Sequence, residues 1–287
     1  MQSNNPVFRR SEAFSGSGAH GNQSYGNSGY GSDPSQWGVG NPGDPQGTAY
    51  APAPQAPSAP MTIDSVVQKT AITLGVVVVT AFATWVMLPE INESTADSAI
   101  GTVGAVATFG ALGAFVLSMV NAFKKVVSPG LVLAFAALEG VALGAISMIF
   151  NVAYPGVVQG AVIGTFAAFG GTLAAYKVLN IQVGDKFRKF VVAAVFGMIG
   201  LSLMELVLGL FGAQIGLFGV SGLGMITAVA GLVLGVFMLI MDFDFVEQGI
   251  RYGAPERESW TAAFAMTVSL VWIYTNLLRI LAYFQQD

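Results

Sequence analysis

Seven stretches of about twenty apolar residues, parted by short polar breaks, dominate this chain; they fall at approximately 68–88, 98–121, 129–151, 156–178, 189–212, 217–241 and 259–283. A helix rises about 1.5 Å per residue, so each stretch can cross the roughly 30 Å hydrocarbon layer of a bilayer. A barrel strand would show only about ten residues of alternating polarity. In lipid every backbone amide needs an internal partner, and a helix supplies it. Outside the first sixty residues the four prolines, Pro89, Pro129, Pro155 and Pro255, lie in or beside the breaks, where helices stop. Composition agrees: 10% of residues are charged and 54% hydrophobic, with mean hydropathy +0.65. A soluble domain carries about 25% charged residues. The expectation is an all-α membrane protein, a seven-transmembrane-helix bundle over residues 61–287.

Residues 1–60 differ in kind. They hold 10 Gly, 8 Pro and 9 Ser, 27 of 60 residues or 45%, a composition that cannot bury enough apolar surface to fold. A disordered Gly/Ser/Pro-rich cytoplasmic tail is expected, with Tyr25, Tyr30 and Trp37 available for weak association. No secretory signal precedes the spans, so the first span is expected to act as an uncleaved signal anchor.

Charge orients the spans. Arg9, Arg10 and Lys69 precede the first; Lys124 and Lys125 follow the second; Lys177, Lys186, Arg188 and Lys189 follow the fourth; Arg251 and Arg257 follow the sixth. The loop after the first span holds only Glu90, Glu93 and Asp97. The positive-inside rule then predicts a cytoplasmic N-terminus and an outside C-terminus in a bacterial plasma membrane. Net charge is −4 with no basic run, which argues against nucleic acid as a partner. The lipid bilayer itself, and Ca²⁺ or protons, are the partners expected.

Small residues recur four apart: Gly140 with Gly144, Gly160 with Gly164, Gly231 with Gly235. Such pairs let helices approach closely, within one chain or between two copies. Trp272, Tyr274 and Tyr283 read as interfacial anchors.

Ionisable residues inside spans are costly and usually face a polar interior. Glu139 is mid-span in the third helix, Glu205 lies in the outer half of the fifth, and Arg279 is near the outer end of the seventh. Asp242 and Asp244 close the sixth within Met241-Asp242-Phe243-Asp244-Phe245-Val246-Glu247-Gln248-Gly249-Ile250-Arg251. If that helix continues, Asp244, Glu247, Gln248 and Arg251 share a face, and Asp242 points about 200° away from Asp244. One reading is a carboxylate cluster at the inner mouth of a pathway, where Asp244, Asp242 and Glu139 hold Ca²⁺ or a proton and Glu247, Gln248 and Arg251 support or gate it. The other is a solvated helix end carrying a Glu247–Arg251 pair. Glu205 and Arg279 read as a pair or as interface residues.

Gly219-Val220-Ser221-Gly222 resembles the serine motif of intramembrane proteases, but a nucleophilic serine needs a base. The single histidine, His20, sits in the tail, and there are no cysteines. Ser221 therefore reads as a loop residue; no enzyme activity, cofactor or Cys/His zinc site is expected.

Several segments together resemble the Bax inhibitor-1 (transmembrane Bax-inhibitor-motif) family, and within it the actinobacterial Bax inhibitor-1-like branch. They include Leu138-Glu139-Gly140-Val141-Ala142-Leu143-Gly144, Gly170-Gly171-Thr172-Leu173-Ala174-Ala175-Tyr176-Lys177 and Asp242 through Arg251. Gly253-Ala254-Pro255-Glu256-Arg257-Glu258-Ser259-Trp260, Leu277-Leu278-Arg279-Ile280-Leu281 and the opening Asn5-Pro6-Val7-Phe8 add to them. The resemblance implies a pH-sensitive Ca²⁺ leak through seven helices with the last one central. It also implies an aspartate of the sixth helix paired with one of the seventh, and an arginine of the second helix assisting. Asp244 matches the first aspartate best, with Asp242 in reserve. The seventh span, Thr267 through Leu281, has no acidic residue and the second has no arginine; Glu139 is the candidate replacement carboxylate. A non-transporting stress-response or interaction scaffold, recruiting partners through the tail, is the alternative function.

Overall fold

The computed structural model describes residues 59–92, 96–124, 126–213 and 215–286, with side chains of residues 96 and 97 left aside. The tail expectation for residues 1–58 lies outside these, as do Glu93 and Lys125. Among the described residues there are seven helices: α1 (Ile63–Met87), α2 (Ala96–Phe123), α3 (Pro129–Ala153), α4 (Val157–Val178), α5 (Asp185–Leu210), α6 (Gly222–Arg251) and α7 (Glu258–Phe284). All seven are long and apolar enough to cross a membrane, at 22 to 30 residues. Large apolar side chains such as Val79, Phe82, Phe109 and Phe196 stand exposed, as suits a surface solvated by acyl chains and not by water.

Local sequence sets the helix ends. Thr62 opens α1 through a capping box, its hydroxyl accepting the Ser65 amide at 3.1 Å while Ser65 Oγ accepts the Thr62 amide at 3.1 Å. Pro129 begins α3, where a missing N–H costs nothing. The sixth span differs most from expectation. Residues 215–221 form a loop, and α6 starts only at Gly222. Ser221 is its cap: the hydroxyl accepts the Gly224 amide at 3.1 Å and donates to the Gly216 carbonyl at 2.9 Å, which gives the protease-like serine a structural role. At its other end α6 runs to Arg251, ten residues beyond the expected 241. The i,i+4 pairs of that polar stretch extend the helix. The chain then reverses at Gly253, whose φ of 66° suits a residue without Cβ, and the Ala254 amide bonds back to the Gly249 carbonyl at 2.8 Å.

Helix α7 is the centre, packed against α1, α3, α4 and α6. The glycine pairs explain how closely. A Cβ on Gly144 would lie 2.4 Å from the Ala81 carbonyl oxygen of α1. On Gly231 and Gly235 it would come within 2.3 Å of Asn276 and 2.6 Å of Ile273, both on α7. Gly160 and Gly164 face Leu281 and Leu277 of α7 at 3.1 and 3.0 Å. All three small-residue motifs are therefore used inside the chain. Trp272 and Tyr274 are also inside: Trp272 Nε1 donates to the Gly231 carbonyl at 2.9 Å, and Tyr274 shares a 2.6 Å hydroxyl bond with Ser147 of α3. Both correct the anchor expectation, because an indole or phenol sunk among helices needs a partner and finds it on the neighbour.

Just before α1, the Met61 amide donates to the Ala254 carbonyl and the Glu256 amide to the Ala59 carbonyl, each at 2.7 Å. The extended segment is thus tied to the α6–α7 turn. Lys69 follows with a 2.8 Å bridge to Glu256.

Candidate functional site

The polar residues of the bundle gather around α6 and α7. Asp242 continues the stripe Gly231, Gly235, Leu239, because eleven residues bring a helix back to within about 20° of the same direction. That stripe packs on α7, and there Ser269 Oγ donates to Asp242 Oδ2 at 2.6 Å. Ser269 is almost wholly buried, at 1% exposure. Since α6 ends at Arg251, Asp242 lies nine residues, or about 14 Å, from the helix end. Asp242 is therefore within α6 and not at its close.

Asp244 faces the other way. It is 7% exposed, and its Oδ2 accepts from Arg188 Nη2 of α5 at 3.0 Å and from Gln248 Nε2 at 2.6 Å. A carboxylate this buried persists only with paired and hydrogen-bonded partners. One turn on, Glu247 accepts from Arg251 at 2.6 Å and from the Tyr176 hydroxyl of α4 at 2.9 Å. Beneath them Phe243 stacks edge-on against Phe169 and tilted against Tyr176, centroids 5.5 and 5.8 Å apart. Phe243 is buried while Phe245 is exposed, so only the first of the two phenylalanines faces inward. Asp244, Glu247, Gln248 and Arg251 thus form a polar lattice of two separately bonded groups, Arg188–Asp244–Gln248 tying α5 to α6 and Tyr176–Glu247–Arg251 tying α4 to α6. The helical spacing anticipates their shared face; Arg188 and Tyr176, supplied by other helices, have no such local signal.

Glu139 is ten residues, about 15 Å, from the start of α3. It shares a face with Phe135, which meets Phe264 of α7 edge-on at 5.0 Å, and with Leu143. No hydrogen bond or ion pair reaches its carboxylate among the described residues. Glu139, Asp242 and Asp244 do not converge: among the described residues no three acidic, His or Cys side chains are grouped to hold a metal ion. Nor do Glu205 and Arg279 pair. Glu205 Oε1 accepts the Gly216 amide at 2.8 Å, while Arg279 donates to Asn276 and lies over the Phe218 ring at 5.2 Å.

Helix α7 makes polar contacts with three neighbours: Ser259 with Ser65 of α1 at 2.7 Å, Ser269 and Trp272 with Asp242 and the Gly231 carbonyl of α6, and Tyr274 with Ser147 of α3. Among the described residues, the basic ones other than Arg279 lie at one end of the bundle. The Lys69–Glu256, Arg188–Asp244 and Glu247–Arg251 bridges all lie there. Arg279, the exception, sits toward the other end.

A family model described as "Bax inhibitor 1 like" matches residues 5–286. No curated protein matches the chain.

Proposed function

Because the chain belongs to the Bax inhibitor-1-like family, we propose that it is a passive, pH-sensitive Ca²⁺ leak pathway in a bacterial plasma membrane. Its N-terminus is cytoplasmic and its C-terminus outside, with the basic end of the bundle toward the cytoplasm. The observation that carries the reading is Asp242, an acidic side chain held against central α7 nine residues inside the basic end of α6. Carboxylates within a span are retained chiefly for pairing or for moving ions, and among the described residues Asp242 is met by the neutral hydroxyl of Ser269 alone. The partner that Asp242 meets on the last helix is the hydroxyl of Ser269 and not a second aspartate. Asp242, not Asp244, is the residue turned toward the last helix.

The lattice of Arg188, Asp244, Gln248, Glu247, Arg251 and Tyr176 covers the basic end and acts as the gate. Ca²⁺ at rest takes about six to eight oxygen ligands, more than Asp242 and Ser269 supply, so the ion passes and is not stored. Protons compete with Ca²⁺ for Asp242, and flux falls as pH falls. Glu139, mid-span in α3, is the second carboxylate of the route.

The test is Ca²⁺ flux into proteoliposomes from mildly acidic to mildly basic pH. Asp242→Asn is expected to lower flux about tenfold or more, the effect of some 1.4 kcal/mol, and to flatten the pH response. Glu139→Gln is expected to reduce flux less; if it leaves both flux and pH response unchanged, Glu139 has no part in the route. Folded wild-type protein without flux would sink the leak reading and leave the scaffold, which predicts loss of function on deleting residues 1–60.

A further inference from the structure

Helix α5 is attached at its ends and not along its middle. Among the described residues it packs on no helix but α6, and Val191 is its one buried residue. At the basic end Arg188 bridges to Asp244, and Phe187 meets Phe237 edge-on with centroids 5.3 Å apart. At the far end Glu205 holds the Gly216 amide of the loop leading to α6.

Between these ties lies a groove of about 690 Å³, walled by Phe190, Ala194 and Gly197 of α5 and Ala230, Val233 and Phe237 of α6. Every wall residue is apolar. Small residues at facing helix positions ordinarily bring backbones together, as Gly231 and Gly235 do against α7. At Gly197 they do not: an added Cβ would meet nothing within 4 Å. Here small side chains make room. In a bilayer the available filler is an acyl chain, and leaving the groove empty would forfeit the dispersion contacts of its walls.

The mouth of the groove is charged. Phe190, Ala194 and Gly197 follow helical spacing, and Lys186 stands one turn earlier on the same stripe, with Lys189 beside it. Both lysines are exposed, and neither has an ion-pair partner among the described residues. Arg188 between them is engaged by Asp244. Asp185 offsets one positive charge, so the start of α5 keeps a net positive charge, reinforced by the amides of its first turn.

We propose that the α5–α6 groove binds an anionic phospholipid of the bilayer, one acyl chain lying between the helices and the headgroup phosphate resting on Lys186 and Lys189. Basic pockets between transmembrane helices suit anionic headgroups; here the pocket continues into an apolar slot on the same helical stripe. The site is independent of the ion-leak reading, since neither lysine belongs to the gating lattice.

Native mass spectrometry of the full chain, released from bilayers of mixed phosphatidylglycerol and phosphatidylcholine, tests it. The expected result is selective retention of one phosphatidylglycerol. Removing both cations in Lys186→Gln/Lys189→Gln should weaken that retention on the order of thirtyfold, at about 1 kcal/mol per lysine. Gly197→Phe, whose ring has open space to enter, should abolish it while the protein stays folded. Equal retention of the two lipids, retention unchanged in both variants, or a lipid-free dimer with a second copy in the groove would each overturn the proposal.

Discussion

Replacing Gly140 with valine is expected to destroy the folded bundle. A Cβ there would stand 1.9 Å from Thr80 Oγ1 and 2.4 Å from the Val77 carbonyl oxygen. Neither obstacle is the loose end of a side chain. The Thr80 hydroxyl is itself tied to the Val76 and Val77 carbonyls at 2.8 and 3.1 Å, and Val77 contributes backbone. Relief requires α1 and α3 to separate, which would also open the cluster of Val77, Ala136 and Leu143. Ordinary overpacking costs about 1–3 kcal/mol; with backbone as the obstacle, the cost here is on the order of 4 kcal/mol or more. Thermal unfolding in detergent reads it as loss of the folded species. Gly170→Ala is the control, since an added Cβ meets nothing within 4 Å. It should hold or raise Tm, because alanine is favoured over glycine in a helix by roughly 1 kcal/mol. Equal Tm values for the two variants would mean that α1 and α3 do not cross this closely.

The seven spans were legible because lipid imposes length and apolarity on each helix separately, and both are local properties. The glycine pairs were legible as packing faces for the same reason, but their partners were not. More was available at Asp242 than its position near the end of an apolar run suggests. Its eleven-residue offset from Gly231 sets it on the face that meets α7 and sets Asp244, thirteen residues on, nearly opposite. Assigning the two aspartates by proximity to Gln248 favours Asp244; assigning them by helical phase favours Asp242 as the one turned to the last helix. Arg188 could be read only as an orienting charge, because nothing in α5 records that its guanidinium crosses to another helix. Trp272 and Tyr274 misled in the opposite sense. Aromatic residues with a polar atom suit a membrane interface, yet the same polar atom serves equally well to bind a neighbouring helix.

Arg188→Met is expected to cost on the order of 2 kcal/mol of stability. It leaves the carboxylate of Asp244, 7% exposed, with Gln248 as its remaining partner. Breaking a fully buried ion pair costs about 3–5 kcal/mol, but the Arg188 side chain keeps 33% of its exposure, and solvent screening lowers the figure. Adding Asp244→Leu should restore much of the loss, because the stranded charge goes with its partner and apolar replacements of a buried pair are often neutral or better. Unfolding of wild type, both single variants and the double variant gives the coupling directly. The same variants separate stability from gating. Arg188 ties α5 to the polar lattice at the basic end; if that lattice gates the path as proposed, Arg188→Met should raise Ca²⁺ flux in intact proteoliposomes even as stability falls. The double variant, with stability recovered, should remain leaky, because restoring packing does not restore the bridge. A double variant that is stable and as tight as wild type would show that Arg188 and Asp244 hold the fold together without gating it.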